Sequence, residues 1–68
     1  MNSKLIKALK AKYKAQAAEA EATMDVYLNN PAGIGEHPQI VEEMAKQLER
    51  LGNATGNLDT LERYYEES

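Results

Sequence analysis

Two neighbouring residues with acid-base chemistry, Glu36 and His37, lie at the middle of a 68-residue chain that has no other histidine and no cysteine. Histidine titrates near neutral pH and an adjacent carboxylate tunes it, so the pair suggests general acid-base catalysis or metal binding. No Ser, Cys or Asp stands at a spacing that forces a third group nearby, and one histidine without cysteine cannot form the usual tetrahedral zinc site. The sequence therefore predicts no catalytic residue, no cofactor and no metal site.

Glycines flank Ile34 in the same segment, which reads YLNNPAGIGEHPQ. The segment is not a phosphate-binding loop, because it lacks the full glycine-rich pattern, a preceding strand and a following Lys with Ser or Thr. Glycine instead permits the positive φ that a tight turn requires. An isoleucine between two glycines would form a small apolar knob, so we predict a protein-interaction site at Ile34, Glu36 and His37.

Lysines dominate the start of the chain, where Lys4, Lys7, Lys10, Lys12 and Lys14 occur without an acidic residue between positions 4 and 14. Clustered lysines on one helix neutralise the phosphates of nucleic acid or another anionic surface. However, the cluster contains no arginine, the formal net charge of the whole chain is −3, and the C-terminal end is acidic. A solvated or internally paired face is favoured, and anion binding by Lys4, Lys7, Lys10 and Lys14 is the alternative.

Helical periodicity determines where these side chains must lie. From Ser3 to Asn29 there is neither Pro nor Gly, and large or apolar side chains recur every three or four residues, as on one face of an amphipathic helix. This face is almost entirely alanine between Ala15 and Ala22, which allows a close approach but offers little to bury. A second series begins at Ile40 or Val41. The residues predicted to pack are Ile6, Leu9, Tyr13, Met24, Tyr27, Val41, Met44, Leu48, Leu51, Leu58, Leu61 and Tyr65, with Ala17, Ala20 and Thr55 completing the two stripes.

Local signals set the ends of the two helices. Asn30 precedes Pro31, which disfavours helical backbone, and Pro38 suits the first turn of a helix. The sequence predicts helix 1 over about 3–29, a turn over 30–37 and helix 2 over about 38–66. Gly52 and Gly56 each weaken a helix by about 1 kcal/mol. A break near 52–57 is therefore the alternative to one continuous helix, which the unbroken heptad phase favours.

Matched helices around a short turn predict an all-α fold, a single antiparallel two-helix hairpin over residues 1–68. A chain of this length buries only about 60% of its unfolded surface. The hairpin also leaves Leu5, Val26 and Leu28 beside the main stripe. We therefore expect coiled-coil-like pairing of two hairpins into a homodimeric four-helix bundle, unless another protein covers that surface.

The chain contains no apolar run close to the roughly 20 residues that a membrane span needs, and no signal-peptide h-region. We therefore expect a soluble, intracellular protein without a membrane partner.

Residues Asp25 to Pro31 and Gly33 to Pro38, which read DVYLNNP and GIGEHP, resemble small uncharacterised proteins of tailed bacteriophages, including myoviruses of marine bacteria. The similarity in pattern, a Lys-rich and Ala/Glu-rich first helix and an acidic second helix, extends over most of the chain. The GNATGN segment departs from that pattern. The resemblance implies no enzymatic activity. It implies either an accessory protein acting on a host or phage protein in the infected cytoplasm, or a minor structural component of the virion.

Overall fold

Two α-helices account for nearly all of the described chain. The computed structural model describes residues 3–29 and 39–65, in which α1 spans Ser3–Leu28 and α2 spans Ile40–Tyr64. These residues contain no strand. The helix α1 ends one residue before the expected Asn29, and α2 is flanked by Gln39 as its N-cap residue and Tyr65 as its C-cap residue, whose N–H donates to the Leu61 oxygen. The predicted turn over 30–37 and the placement of Pro38 lie outside the described residues.

The two helices pack against each other as a hairpin. Glu19 lies nine residues before the end of α1 and Arg50 ten residues after the start of α2, and these two side chains are ion-paired. An antiparallel pair places both residues at the same level. The molecule is correspondingly long and narrow, 51 × 14 × 14 Å. Its radius of gyration of 15.4 Å exceeds the roughly 11 Å expected for a compact chain of this length.

The contact between the helices is thin. Among the described residues only Ala20, Ala54 and Leu61 are buried, with 0%, 0% and 8% of their surface exposed. The close approach predicted for the alanine face of α1 is confirmed at Ala20. Half-buried side chains extend the same contact on both helices: Ile6, Tyr13, Ala17, Met24, Tyr27, Ile40, Met44, Leu51 and Leu58.

The residues of α2 that face α1, which we call its inward stripe, differ by one position from some of the residues predicted to pack. It follows Ile40, Met44, Gln47, Leu51, Ala54, Leu58 and Leu61, in alternating steps of four and three. Val41 and Leu48 are 70% and 60% exposed, so within the hairpin they lie outside the contact between α1 and α2, and their predicted packing stays a prediction. Both the observed and the predicted set recur every three or four residues, as on one face of a helix. The alanine face of α1 favours a small residue opposite it, and Ala54 is smaller than Thr55. Leu9 and Tyr65 also lie at the margin, 39% and 51% exposed.

The second helix continues through Gly52 and Gly56, which is the form that the heptad phase favours. The threonines of this region fit the helix because their hydroxyls donate to backbone carbonyls one turn earlier. Thr55 Oγ1 lies 3.0 Å from the Leu51 oxygen, and Thr60 Oγ1 lies 2.9 Å from the Gly56 oxygen. The ion pair between Arg63 and Asp59, at 3.0 Å, adds local support of about 0.2–0.5 kcal/mol.

Candidate interaction surface

The predicted interaction site around Glu36 and His37 is not part of the described structure. Ile34, Glu36 and His37 lie outside the described residues, so the interaction site predicted there stays a prediction. Within residues 3–29 and 39–65, no three His, Cys, Asp or Glu side chains are grouped as a metal site would require. Neither described helix is long and apolar enough to cross a membrane.

The predicted anion-binding lysines do not share one surface. Lys4, Lys7 and Lys14 are exposed, but Lys10 is half-buried on the inward stripe of α1, four residues after Ile6. The cluster also begins at the positive end of the helix macrodipole, and the first turn of α1 contains no acidic residue. Positive charge in the first turn of a helix is unfavourable by about 0.3–1 kcal/mol, and of these lysines only Lys4 lies in that turn. The N-terminal half of α1 therefore gains from any negative charge beside it.

One side of the hairpin is bridged by a charged pair. Arg50 Nη2 donates to Glu19 Oε1 at 2.8 Å, and Arg50 Nη1 donates to Gln47 Oε1 at 3.1 Å. The Arg50 and Glu19 side chains are 42% and 67% exposed, so solvent weakens the pair to about 1 kcal/mol or less. We call this the ion-pair side. Residues seven positions apart lie on nearly the same side of a helix. The ion-pair side therefore comprises Leu5, Lys12, Glu19 and Val26 of α1, and Glu43, Arg50, Asn57 and Tyr64 of α2.

The opposite side is exposed and unevenly apolar. A helix turns about 200° over two residues, so Leu48 lies away from Arg50, and Glu21 lies away from Glu19. We call this the apolar side, and it comprises Lys7, Lys14, Glu21 and Leu28 of α1, and Val41, Leu48, Thr55 and Glu62 of α2. Leu28, Val41 and Leu48 are 59%, 70% and 60% exposed. They leave an uncovered apolar patch on one half of this side.

The antiparallel register orders the apolar side along its length. The ion pair between Glu19 and Arg50 and the nearly equal lengths of the two helices put these residues at about the same level. In an antiparallel pair, residues whose numbers have the same sum then share a level to within about one turn, which places Leu28 beside Val41 and Lys7 beside Glu62. We call the end with Leu28 and Ile40 the connector end, and the end with Ser3 and Tyr64 the terminal end. The apolar side is therefore mainly apolar at its connector end, where Glu21 lies beside Leu48, and carries both signs of charge at its terminal end.

The residues that the sequence left uncovered are indeed exposed. Leu5, Val26 and Leu28 retain 64%, 62% and 59% of their surface, and Tyr64 on the ion-pair side retains 71%. The sequence reasoning missed the Glu19–Arg50 pair. The level positions of the two residues in an antiparallel hairpin are the signal that would have identified it.

No protein-family model, curated protein or solved structure matches this chain.

Proposed function

We propose that this protein is a non-enzymatic phage-type interaction or accessory structural module whose amphipathic hairpins pair into a homodimeric four-helix bundle. The thin contact between α1 and α2 supports the pairing. Only two alanines and Leu61 are buried among the described residues, and eight large apolar side chains remain exposed there. A second hairpin would cover apolar surface that the first cannot bury by itself.

The exposed area of the chain is the observation that carries this proposal. The chain exposes 5259 Å², whereas a compact monomer of 7.6 kDa exposes about 4300 Å². The excess of about 1000 Å² is close to the roughly 800 Å² that each partner buries in a standard protein interface. A dimer would bring the exposed area per chain back to the ordinary range.

The solution mass tests this proposal directly. We expect light scattering on a sizing column to give twice the chain mass at both low and high salt, because apolar burial dominates the pairing. A monomer at micromolar concentrations and both salt levels would contradict self-association. A dimer only at low salt would mean that charge, rather than the apolar surface, holds the chains together.

We further propose that the dimer presents the segment around Ile34 to a host or phage protein. The resemblance to phage proteins is the basis for this partner class, for the cytoplasm of an infected cell as its location, and for the virion as the other location. Ile34→Asp is expected to abolish capture of the partner in a pull-down from infected cells, while circular dichroism stays unchanged. Ala32→Asp is the control for added charge in the same segment. Unchanged capture by Ile34→Asp, or loss of helicity, would contradict the proposal.

Nucleic-acid binding by the first helix is the second candidate function. The observation in its favour is that Lys4, Lys7, Lys12 and Lys14 all lie at exposed positions of α1. This function requires affinity for DNA or RNA that falls steeply with salt and with removal of Lys7 and Lys14. Absence of binding at low salt would eliminate it.

A further inference from the structure

We propose that the apolar side is where a second copy of this chain binds, about a two-fold axis parallel to the helices. Each α1 then packs beside the α2 of the other copy. This inference rests on the proposed self-association and specifies its face and its arrangement. The occupant is a second copy because the face is self-complementary in both apolar surface and charge.

The apolar side is favoured over the ion-pair side because its apolar residues are contiguous. Val41 and Leu48 lie two turns apart on one helix, 70% and 60% exposed, and Leu28 is level with Val41 on the neighbouring helix. Next to Leu48 lies Gly52, where an added Cβ would meet nothing within 4 Å. This leaves room for a partner helix. On the ion-pair side the exposed apolar residues are divided between the two ends: Leu5 lies beside Tyr64 at the terminal end and Val26 lies near the connector end, with Glu19 between them.

The arrangement follows from the register of the hairpin. A two-fold axis parallel to the helices keeps every residue at its own level. It therefore places Leu28 beside Val41 of the second copy, the Glu21 side chain beside Leu48 of the second copy, and Lys7 beside Glu62 of the second copy. An axis perpendicular to the helices would bring the apolar connector end of one copy against the charged terminal end of the other. Of the two axes, the parallel one brings the connector ends with Leu28, Val41 and Leu48 together and pairs positive with negative charge at the terminal ends.

The charge on α1 favours the same arrangement. Its lysines begin in the first turn, at the positive end of the macrodipole, and that turn contains no acid. Within one hairpin, the C-terminal end of α2, with Asp59 and Glu62, lies on one flank of these lysines. The proposed dimer places the C-terminal end of a second α2 on the other flank. Both negative helix ends then adjoin the lysine cluster.

Charged substitutions test which face is used. The double variant Val41→Asp/Leu48→Glu is expected to raise the dimer dissociation constant by about 100-fold or more, because each change acts twice in a symmetric dimer. The matched control is Val26→Asp/Leu5→Glu, whose parent side chains are 62% and 64% exposed on the ion-pair side. Sedimentation equilibrium over a concentration series measures both constants, and we expect the control variant to dimerise as the unmodified chain does.

The outcomes separate this inference from the proposed function. A dimer that persists in the Val41→Asp/Leu48→Glu variant and dissociates in the control overturns the assignment of the face, but leaves self-association intact. An unmodified chain that is monomeric overturns both. If the first variant unfolds because folding requires the dimer, cross-linking decides instead.

Cross-linking also tests the arrangement. The sequence contains no cysteine, so a thiol-specific reagent reacts only with the introduced cysteines. Chains with Lys14→Cys and differently tagged chains with Thr55→Cys are mixed and treated with a short bismaleimide. The proposed arrangement places these two positions side by side, so we expect a product that joins one chain of each kind. The perpendicular axis instead brings Lys14→Cys close to its own copy. A product made mainly of two Lys14→Cys chains, or no product between the two kinds, would overturn the arrangement.

Discussion

Replacing Ala20 by leucine is expected to destabilise the hairpin by about 1–3 kcal/mol, the usual cost of overpacking a filled site. Ala20 and Ala54 have no exposed surface, and small residues at a helix contact allow the axes to approach to about 8 Å. The added carbons of leucine have no space at either position, so the helices must separate where they are closest. Urea denaturation followed by circular dichroism measures the loss, and Ala54→Leu is expected to behave alike.

Ala22→Leu is the matched control, because Ala22 lies two residues away in the same helix and is exposed. Leucine and alanine have similar helix propensities, so this substitution isolates packing from helix formation. We expect a change within about 0.5 kcal/mol, as for ordinary surface substitutions. Equal effects of Ala20→Leu and Ala22→Leu would contradict close packing at Ala20.

The existence and type of the two helices could be predicted from the sequence because the signals are local. The absence of Pro and Gly from Ser3 to Asn29, and a repeat of three and four residues in both halves, are sufficient for that. The thin alanine contact was also predictable, since the pattern itself places alanines on the apolar face of α1. The exposed positions of Leu5, Val26 and Leu28 follow from the same pattern.

The rotation of α2 about its axis could not be predicted in the same way. Ile40 and Val41, Gln47 and Leu48, and Ala54 and Thr55 are adjacent pairs, and either member of each pair satisfies helical stepping. Hydrophobicity favours Leu48 over Gln47, so the sequence of α2 alone predicts that Leu48 faces α1. The alanine face of α1 favours the other rotation of α2, because Ala54 permits the closest approach of the two helices. Gln47 is accommodated inside because its Oε1 accepts a hydrogen bond from Arg50 at 3.1 Å.

The rotation of α2 leaves some of its apolar side chains outside the contact with α1. Apolar side chains at both the inward stripe and its flank give α2 a face wider than one partner helix can cover, which is typical of a bundle rather than an isolated pair. Val41 and Leu48 are then the part of that face that a single hairpin leaves unused. The proposed dimer gives them a role without any change to the contact between α1 and α2.

Leu61→Ala is expected to cost about 2–3 kcal/mol, because Leu→Ala at a buried site loses both transfer energy and packing. Leu61 is the one buried residue larger than alanine in the described chain, with 8% of its surface exposed. A chain of this length has a total stability of about 3–10 kcal/mol, so the loss is a large part of it. We expect the thermal midpoint to fall by more than about 8 °C, measured by circular dichroism at a fixed protein concentration.

Two further leucines serve as controls that separate the contact within the hairpin from the proposed contact between copies. Leu5 and Leu48 are 64% and 60% exposed, so in an isolated hairpin Leu5→Ala and Leu48→Ala should each cost less than about 1 kcal/mol. Of these two leucines, the proposed dimer buries Leu48 and leaves Leu5 exposed, so the cost of Leu48→Ala should then approach that of Leu61→Ala. Equal and small costs for Leu5→Ala and Leu48→Ala, at concentrations where the chain is dimeric, would place the second copy on another face. A small cost for Leu61→Ala would instead contradict the packing of α2 against α1.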